Sequence, residues 1–297
     1  MGNKVVIFKF IKKQIMIKVI YSNLQKVREI LQNIKKAWAS KLHILADFDK
    51  TLTKTFVNGE KRPSLISVLR SQKILGEDYS KKAYELFDYY HPIEIDSQIS
   101  LEEKKEKMAE WWEKHLDLLV KSWLKKENID TAINSGIIYF RKGVKEFLEE
   151  LNRKNIPLII ISANWLGTDS IKLYLKQNKV DFPNIFVISN EFIWDENWVV
   201  KWYKQPIIHT FNKDETVLKE FPEIYEKVKN RKNVILLWDS LWDPQMIEGF
   251  DYENLLKVWF LNDKEEELLE KYKQNYNIII SWDWDFEEVN KIIKEIN

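Results

Sequence analysis

The sequence has no cysteine, no excess of charge of one sign and little glycine. The lack of cysteine and the balanced charge each exclude whole classes of function. Without a cysteine among its 297 residues, the chain can form no disulfide, zinc–thiolate site or cysteine nucleophile. Its 47 basic and 46 acidic residues give no electrostatic signature for a nucleic-acid polymer or an anionic membrane. A reducing cytoplasm is permitted, and we expect a cytoplasmic protein that binds neither a nucleic-acid polymer nor a membrane.

The N-terminal segment, residues 5–20, is apolar but contains four lysines. Its uncharged stretches are much shorter than the roughly 20 residues of a membrane span, and no small-residue cleavage site follows. In place of a signal peptide we prefer one of two interpretations: residues 1–16 are expected to be disordered, or they lie upstream of a true start at Met16.

The shortage of glycine coincides with an excess of tryptophan. There are 7 glycines and 13 tryptophans, whereas glycine alone usually makes up about 7% of a protein. The exchange is most conspicuous in "NVILLWDSLWDPQM", residues 233–246, where Trp238 and Trp242 each precede an aspartate. Why bulky indoles stand beside carboxylates that look chemical is therefore a question for the structure.

Strand and helix patterns alternate along most of the chain. Helical periodicity covers residues 17–37, and helices are also predicted in "GVKEFLEELNRKN" and "DSIKLYLKQN". Apolar runs predict strands in "LHILADFD", "IPLIIISAN", "NVILLWD", "LLKVWFLND" and "YNIIISWDW". This alternation is typical of an α/β fold with a parallel sheet flanked by helices. Ligands of such sheets lie at the C-terminal ends of the strands.

Residues 59–140 differ from the rest because they are charged and helix-periodic, with a capping box at Ser100 and Glu103. We interpret this block as an inserted helical cap. The remaining catalytic core would then consist of residues 17–58 and 141–297.

The strongest local chemical signal is "ADFDKTLT". Asp47 and Asp49 are two residues apart at the end of a predicted strand, so their side chains point to the same side of the sheet. Two such close carboxylates stay ionised together only with a cation between them, unless one is protonated. That arrangement suits one nucleophilic carboxylate and one acid–base carboxylate. Taken alone, the pattern favours a solvated acidic turn over a catalytic pair.

The D-x-D-x-T-L-T pattern resembles the first motif of the haloacid-dehalogenase-like phosphatases. Three further motifs of that superfamily have counterparts in order: Ser162 at the end of "LIIISAN", Lys213 in "HTFNKDE", and Asp239 with Asp243 in "WDSLWD". The segments "DFDKTLTKTFVNGEKRPS", "YYHPIEID" and "LNDKEEELLEKY" are more closely similar to the cytosolic pyrimidine 5′-nucleotidases of type III. The resemblance implies a Rossmann-like core with an inserted helical cap.

The same resemblance implies Mg²⁺-dependent hydrolysis of nucleoside 5′-monophosphates such as UMP and CMP. It makes Asp47 the nucleophile that forms an aspartyl-phosphate and Asp49 the general acid and base. Mg²⁺ would bind the Asp47 carboxylate, the Asp49 carbonyl and Asp239, with Asp243 in support. The ammonium of Lys213 would offset the repulsion between the Asp47 carboxylate and the phosphate.

The resemblance also assigns residues that contact the substrate. Ser162 and the Ala163 amide would bind phosphate oxygens. Glu94 would contact the base, and His115 falls where the family often has serine, so its contact with the sugar and base is an open expectation. We interpret the remaining histidines as structural: His43, His91 and His209.

Six tryptophans align with glycines of the family: Trp38, Trp198, Trp202, Trp238, Trp242 and Trp259. We hypothesise that they are glycines encoded by UGA in a code that assigns this codon to glycine. The alternative is a decayed homologue, although decay would be expected to remove the aspartates as well. Trp111, in contrast, matches a tryptophan of the family.

Two alternatives to a nucleotidase remain open. One is a capped phosphatase that acts on another small phosphomonoester. The other is a catalytically impaired homologue, if Trp238 and Trp242 are genuine. The sequence leaves the oligomeric state and the base preference undetermined.

Overall fold

The computed structural model describes residues 6–11, 14–213, 218, 220–239, 251–262, 269, 273–281 and 283–297. The strands are β1 (Val6–Ile11), β2 (Gln14–Tyr21), β3 (Leu42–Ala46), β4 (Phe56–Val57), β5 (Glu60–Lys61), β6 (Leu158–Ile161), β7 (Ile185–Ile188), β8 (Phe192–Trp194), β9 (Val200–Tyr203), β10 (Asn233–Trp238), β11 (Asn254–Leu261) and β12 (Ile278–Ser281). The helices are α1 (Leu24–Ala37), α2 (Leu65–Ser71), α3 (Glu77–Ile95), α4 (Leu101–Lys121), α5 (Lys126–Asn134), α6 (Val144–Arg153), α7 (Gly167–Gln177), α8 (Pro222–Val228) and α9 (Glu287–Lys294). In these ranges no helix has both the length and the apolar character needed to span a bilayer.

An eight-stranded sheet forms the core, in the order β1-β2-β12-β11-β10-β3-β6-β7. The strands from β12 to β7 in that order run parallel to one another. Parallel strands covered on both faces need continuous apolar sequence, and β3, β6 and β10 are buried at every position. The predicted α/β fold with a mainly parallel sheet is therefore confirmed.

The N-terminal segment departs from the sequence prediction. The helix expected over residues 17–37 begins only at Leu24, and strands are described at residues 6–11 and 14–21. β1 and β2 form an antiparallel pair, and β2 extends the sheet beside β12. β-Branched residues favour this strand. The helix then starts because the Asn23 side chain accepts the Lys26 N–H (3.0 Å).

Helices α2 to α5, with the short β4–β5 hairpin, lie in the chain between β3 and β6. α3 packs against both α2 and α4. The side chain of Ser100 accepts the Glu103 N–H (3.2 Å), as expected for the N-cap of α4. A helical block thus follows the first strand-end motif, and the bounds 59–140 for a cap remain a prediction.

Some of the tryptophans have backbone conformations that normally belong to glycine. Trp38 follows α1 with φ 66° and ψ 160°, a region that is almost exclusive to glycine. Trp198 ends the turn between β8 and β9 with φ 57°, and its N–H donates to the Asp195 carbonyl (3.2 Å). Trp123, which lies outside the hypothesis, also has φ 57°. These indoles are 56–73% exposed, so burial does not compensate for the backbone strain.

Candidate active site

The polar residues predicted to act together follow three adjacent parallel strands. Asp47 comes directly after β3, Ser162 after β6 and Asp239 after β10, and β3 lies between the other two in the sheet. Because parallel strands end at one edge, these side chains meet there. They line a cavity of about 510 Å³ that also has residues of α3 and α4 in its wall.

Asp47 and Lys213 form the most tightly held pair in this cavity. Lys213 Nζ lies 3.1 Å from Asp47 Oδ1, and both side chains are less than one-tenth exposed. The Phe48 N–H donates to the same oxygen (2.8 Å). The Asp47 N–H in turn donates to the Leu237 carbonyl (3.2 Å), which ties Asp47 to β10. A surface position for Lys213 is thereby excluded.

Asp49 and Asp239 experience the accumulated negative charge of the site. Burial, and then the charge of Asp47, raise the pKa of Asp49 to about 7. The same two causes raise the pKa of Asp239 to about 6, although the Thr51 hydroxyl donates to Asp239 Oδ1 (3.3 Å). A carboxyl group with a pKa near neutrality can hold a proton and then release it. Asp49 therefore has the property that a general acid requires.

The acidic cluster fits a bound cation only with help from the main chain. In the described part of the chain, no three acidic or histidine side chains converge as a metal site by themselves. The expected ligand set takes the carboxylates of Asp47 and Asp239 and the carbonyl of Asp49, with Asp243 in support. Because burial, and then the charge of Asp47, raise the pKa values of Asp49 and Asp239, an added cation would stabilise the ionised cluster. Asp243 and Trp242 lie outside the described residues.

The residues expected to hold phosphate are beside Asp47. Ser162 and Ala163 both line the cavity. The Ser162 hydroxyl accepts the Asn164 N–H (3.3 Å), which fixes the turn after β6. The Ala163 carbonyl accepts the indole N–H of Trp112 (2.9 Å), so this strand end is bonded directly to α4. The phosphate end of the cavity is thereby joined to the helical insertion.

An aromatic wall, composed of Phe87, Trp111, Trp112 and Trp165, lines another part of the cavity. Trp112 and Trp165 stack with centroids 4.0 Å apart and planes 18° apart. Trp111 meets Trp165 edge-on at 5.1 Å. Aromatic faces of this size suit a planar ligand group such as a nucleobase.

Glu94, in α3, lines the cavity, and its expected contact with the base stays a prediction. Its Oε1 accepts the Thr210 hydroxyl (2.9 Å), and its Oε2 lies 3.1 Å from His91 Nδ1. His91 and Thr210 also line the cavity, and His91 stacks on Phe87 (4.7 Å). The sequence interpretation missed both residues. The position of His91 three residues before Glu94, on one helix face, was the available signal.

His115 does not reach the cavity, so the expected substrate contact is corrected. Its buried ring lies behind the aromatic wall, with centroids 5.1 Å from Trp165, and its Nε2 is 3.1 Å from the Tyr79 hydroxyl. Burial, and secondarily the charge of Arg70, lower the pKa of His115 to about 3. A neutral imidazole therefore supports the wall from behind. His43, interpreted as structural, is buried in β3 and bonds the Arg231 carbonyl (2.9 Å).

Trp238 and Trp259 are adjacent on β10 and β11, but only Trp259 lines the cavity. Its indole N–H donates to the Asp239 carbonyl (3.0 Å), and its ring stacks on Tyr276 (4.9 Å). Trp238 is buried among apolar residues of the core, with Lys213 Nζ 6.0 Å from its ring centroid. Of these two tryptophans, Trp259 therefore borders the candidate site, in the part that the structure describes.

Arg141 supports the loop that follows Asp49, and no motif in the sequence pointed to it. The fully buried guanidinium donates to Thr51 O (2.8 Å), Asn262 Oδ1 (2.6 Å), Trp284 O (3.1 Å) and Lys50 O. It also pairs with Asp283 at 2.9 Å. Asp283 accepts two further amides of the same loop, those of Thr55 (2.8 Å) and Phe56 (3.0 Å). This network fixes the path from β3 to the helical insertion.

Comparison with known proteins agrees with this geometry. The family model for pyrimidine 5′-nucleotidase (UMPH-1) matches residues 50–297. The chain is 36% identical over 272 residues to the mouse (Mus musculus) 7-methylguanosine phosphate-specific 5′-nucleotidase, covering 91% of this chain and 90% of the relative. A solved structure of cytosolic 5′-nucleotidase IIIB bound to cytidine superimposes with a TM-score of 0.86 at 29% identity, covering 94% and 93% of the two chains.

A more distant structure, a probable phosphoserine phosphatase from Vibrio cholerae, has a TM-score of 0.54 at 11% identity, covers 90% of this chain and 68% of its own, and shows the fold alone. The match to the family model spans far more than half of the chain. With the fold of the haloacid-dehalogenase-like phosphatases, this chain belongs to the pyrimidine 5′-nucleotidase (UMPH-1) family and is a phosphoric monoester hydrolase of the 5′-nucleotidase type.

Proposed function

We propose that this protein hydrolyses nucleoside 5′-monophosphates, with UMP and CMP as its substrates, through a phosphoryl group carried on Asp47. The pairing of Asp47 with Lys213 at 3.1 Å, in a cavity whose other wall is aromatic, is the observation that carries the proposal. A buried carboxylate fixed beside a lysine suits attack on a phosphate. Aromatic faces suit the base.

The reaction has two halves. In the first, an oxygen of Asp47 forms a bond to phosphorus while the bond from phosphorus to the nucleoside 5′-oxygen breaks. Asp49, with its pKa near 7, donates its proton to that leaving oxygen. In the second half, Asp49 removes a proton from a water molecule, which attacks the acyl phosphate and regenerates Asp47.

The negative charge of the phosphate must be offset during both halves. Lys213 supplies one positive charge. Mg²⁺ would supply more charge stabilisation at the phosphoryl oxygens, held by Asp47, the Asp49 carbonyl and Asp239, with Asp243 in support. Ser162 and the Ala163 amide would bind phosphate oxygens. Burial and the charge of Asp47 raise the pKa values of Asp49 and Asp239, and a cation held there would offset the negative charge of this cluster, which supports the assignment.

The base would lie against the aromatic wall, where Glu94 can accept a hydrogen bond from an exocyclic amino group. We propose that residues 59–140 act as the cap that covers this site, since α3 and α4 supply the wall. A cavity of about 510 Å³ suits one nucleotide and is too small for a nucleic-acid polymer. The name of the cytidine-bound relative includes "cytosolic", and we propose the cytoplasm for this chain.

A second candidate substrate is 7-methylguanosine 5′-monophosphate. The mouse relative is named for this substrate. N7-methylation gives guanine a positive charge, and a stack of indoles beside the Glu94 carboxylate is an environment that favours cationic rings.

Phosphate release from UMP, CMP, GMP, 7-methylguanosine monophosphate and ribose 5-phosphate, with Mg²⁺ and with a chelator, tests the function. We expect chelator-sensitive release, fastest with UMP and CMP. The same assay on a variant with glycine at the six aligned tryptophan positions tests the UGA hypothesis. The hypothesis predicts that this variant is more active than the protein with tryptophan at those positions. Preference for 7-methylguanosine monophosphate would overturn the pyrimidine assignment, and no release by either protein would overturn the function.

A further inference from the structure

Arg70, at the end of α2, is a buried cation without a described anionic partner. Its side chain is 6% exposed, and it lines the cavity. None of the ion pairs between described residues involves Arg70, and its Nε is buried with no hydrogen-bond partner among them. The hydrogen bond that its guanidinium does make is a long one, from Nη2 to the Ser67 hydroxyl (3.3 Å). Buried charges are normally paired, so this arginine needs an explanation.

The guanidinium has a defined position relative to the aromatic wall. It stacks on Phe87, with Cζ 4.4 Å from the ring centroid, and on Tyr84 at 4.7 Å. Phe87 stacks in turn on His91, which bonds Glu94. Arg70 and Glu94 are thus at opposite ends of one continuous stack, and no described ion pair joins them. The cavity offers a fixed donor at one end of this stack and a carboxylate acceptor at the other.

We propose that Arg70 is a specificity-determining residue that donates a hydrogen bond to a carbonyl oxygen of the substrate base. The proposal rests on the proposed nucleotidase function. Uracil, cytosine and guanine each carry a ring carbonyl together with an N–H or amino donor, so each matches the donor of Arg70 and the acceptor of Glu94. Adenine has an amino group but no carbonyl, so it offers the guanidinium no carbonyl oxygen, only ring-nitrogen acceptors at other positions. The pair therefore selects bases that carry a carbonyl oxygen and disfavours AMP.

The test compares Arg70→Met with the unchanged protein on CMP, AMP and ribose 5-phosphate. Methionine keeps the apolar length of arginine and removes the donors. We expect kcat/KM for CMP to fall about tenfold to a hundredfold, as for loss of a hydrogen bond from a charged group. AMP and ribose 5-phosphate should change by less than about threefold, because neither presents a carbonyl oxygen to the guanidinium. Arg70→Lys keeps the charge and should retain part of the preference for CMP over AMP.

Cytidine binding by calorimetry distinguishes a failure of this proposal from a failure of the function. A tenfold or larger weakening in Arg70→Met supports the role of Arg70 even if no phosphomonoester is hydrolysed. Equal losses on CMP, AMP and ribose 5-phosphate, or unchanged CMP kinetics, would overturn it while leaving the nucleotidase function standing. Thermal melting shows that each variant is folded, and if Arg70→Met does not fold, the Arg70→Lys kinetics and binding decide in the same way.

Discussion

The sheet edge and the aromatic wall meet in one cavity, but they are built on different principles. At the sheet edge, Asp47, Ser162 and Asp239 are placed by main-chain geometry, because each directly follows a buried parallel strand. At the wall, three side chains come from α3 and α4 and Trp165 comes from the turn after β6, and they are placed by packing against one another. Chemistry that needs fixed charges uses the sheet edge, and recognition of a planar base uses the wall. The two regions should therefore respond differently to substitution.

Asp47→Asn should separate the two regions most strongly. Asparagine has nearly the same shape but is a poor nucleophile, so we expect turnover of CMP to fall by about 10³–10⁶-fold. Cytidine binding at the wall should change by less than about threefold, since neither Phe87 nor Glu94 contacts this residue. Steady-state kinetics and calorimetry measure the two effects. Turnover within tenfold of the unchanged protein would remove Asp47 from the chemistry.

Asp283→Asn should weaken the connection between the regions. Asparagine tolerates the positive φ of 52° at this position, but it loses the charge that pairs with Arg141. Leaving the buried guanidinium unpaired should lower the free energy of unfolding by about 3–5 kcal/mol, as measured by urea denaturation. Asp285→Asn, two residues away, is the matched control and should cost less than about 1 kcal/mol. Equal losses of unfolding free energy in the two variants would contradict a stabilising ion pair between Asp283 and Arg141.

Acidification should act on the histidine behind the wall. The pKa of His115 is lowered to about 3 by burial, whereas an unfolded histidine titrates near 6.5. Between these values the unfolded chain binds the extra proton, so stability is complete above about pH 6.5 and falls as the pH decreases. We expect a loss of roughly 1–3 kcal/mol from this group by pH 4.5. His43 adds a parallel loss, because burial lowers its pKa to about 4.

His115→Gln removes one of these titrations and should make the stability curve between pH 7 and pH 4.5 shallower. Urea denaturation at a series of pH values measures the slope. An unchanged slope would show that His115 does not stay neutral in the folded protein.

Trp38→Gly should stabilise the protein without affecting either region. The backbone of Trp38 lies in a region almost exclusive to glycine, and its indole is 62% exposed, so we expect a gain of about 1–2 kcal/mol. Trp202→Gly is the matched control, because Trp202 is also about half exposed but lies within β9. Glycine should destabilise that strand by about 0.5–1 kcal/mol. Thermal melting measures the expected gain in stability of Trp38→Gly and the expected loss in Trp202→Gly. A loss of stability in Trp38→Gly would contradict backbone strain at residue 38.

The sequence predicted the sheet edge well and the wall poorly, for a physical reason. A buried strand followed by a polar residue is a local pattern, and the resemblance to ordered motifs then singled out Asp47, Ser162 and Asp239 at such strand ends. Lys213 was found through the resemblance and is confirmed at the side of Asp47. Arg70 depends on how α2, α3 and α4 pack, and no local pattern encodes that packing, whereas the spacing of His91 three residues before Glu94 was an available signal. His115 was placed in the site by the resemblance, which did not indicate that its side chain packs behind the aromatic wall.

The N-terminus shows the same limit. The apolar residues before Leu24 fit a helical period, but pairing with β12 places residues 14–21 in a strand. Tertiary pairing therefore overrode a local propensity. The interpretation of the tryptophans, in contrast, gained from the structure, because a positive φ at Trp38 and Trp198 is independent of any alignment.

The central claim is that Asp47 accepts a phosphoryl group from a nucleotide. Its most direct test is to mix the protein with CMP and Mg²⁺, quench with acid within a turnover, and examine the peptides by mass spectrometry. The account predicts a peptide containing Asp47 that is heavier by one phosphoryl group, and no such peptide from Asp47→Asn. Steady release of phosphate with this peptide never labelled, or with the label on another residue, would contradict it.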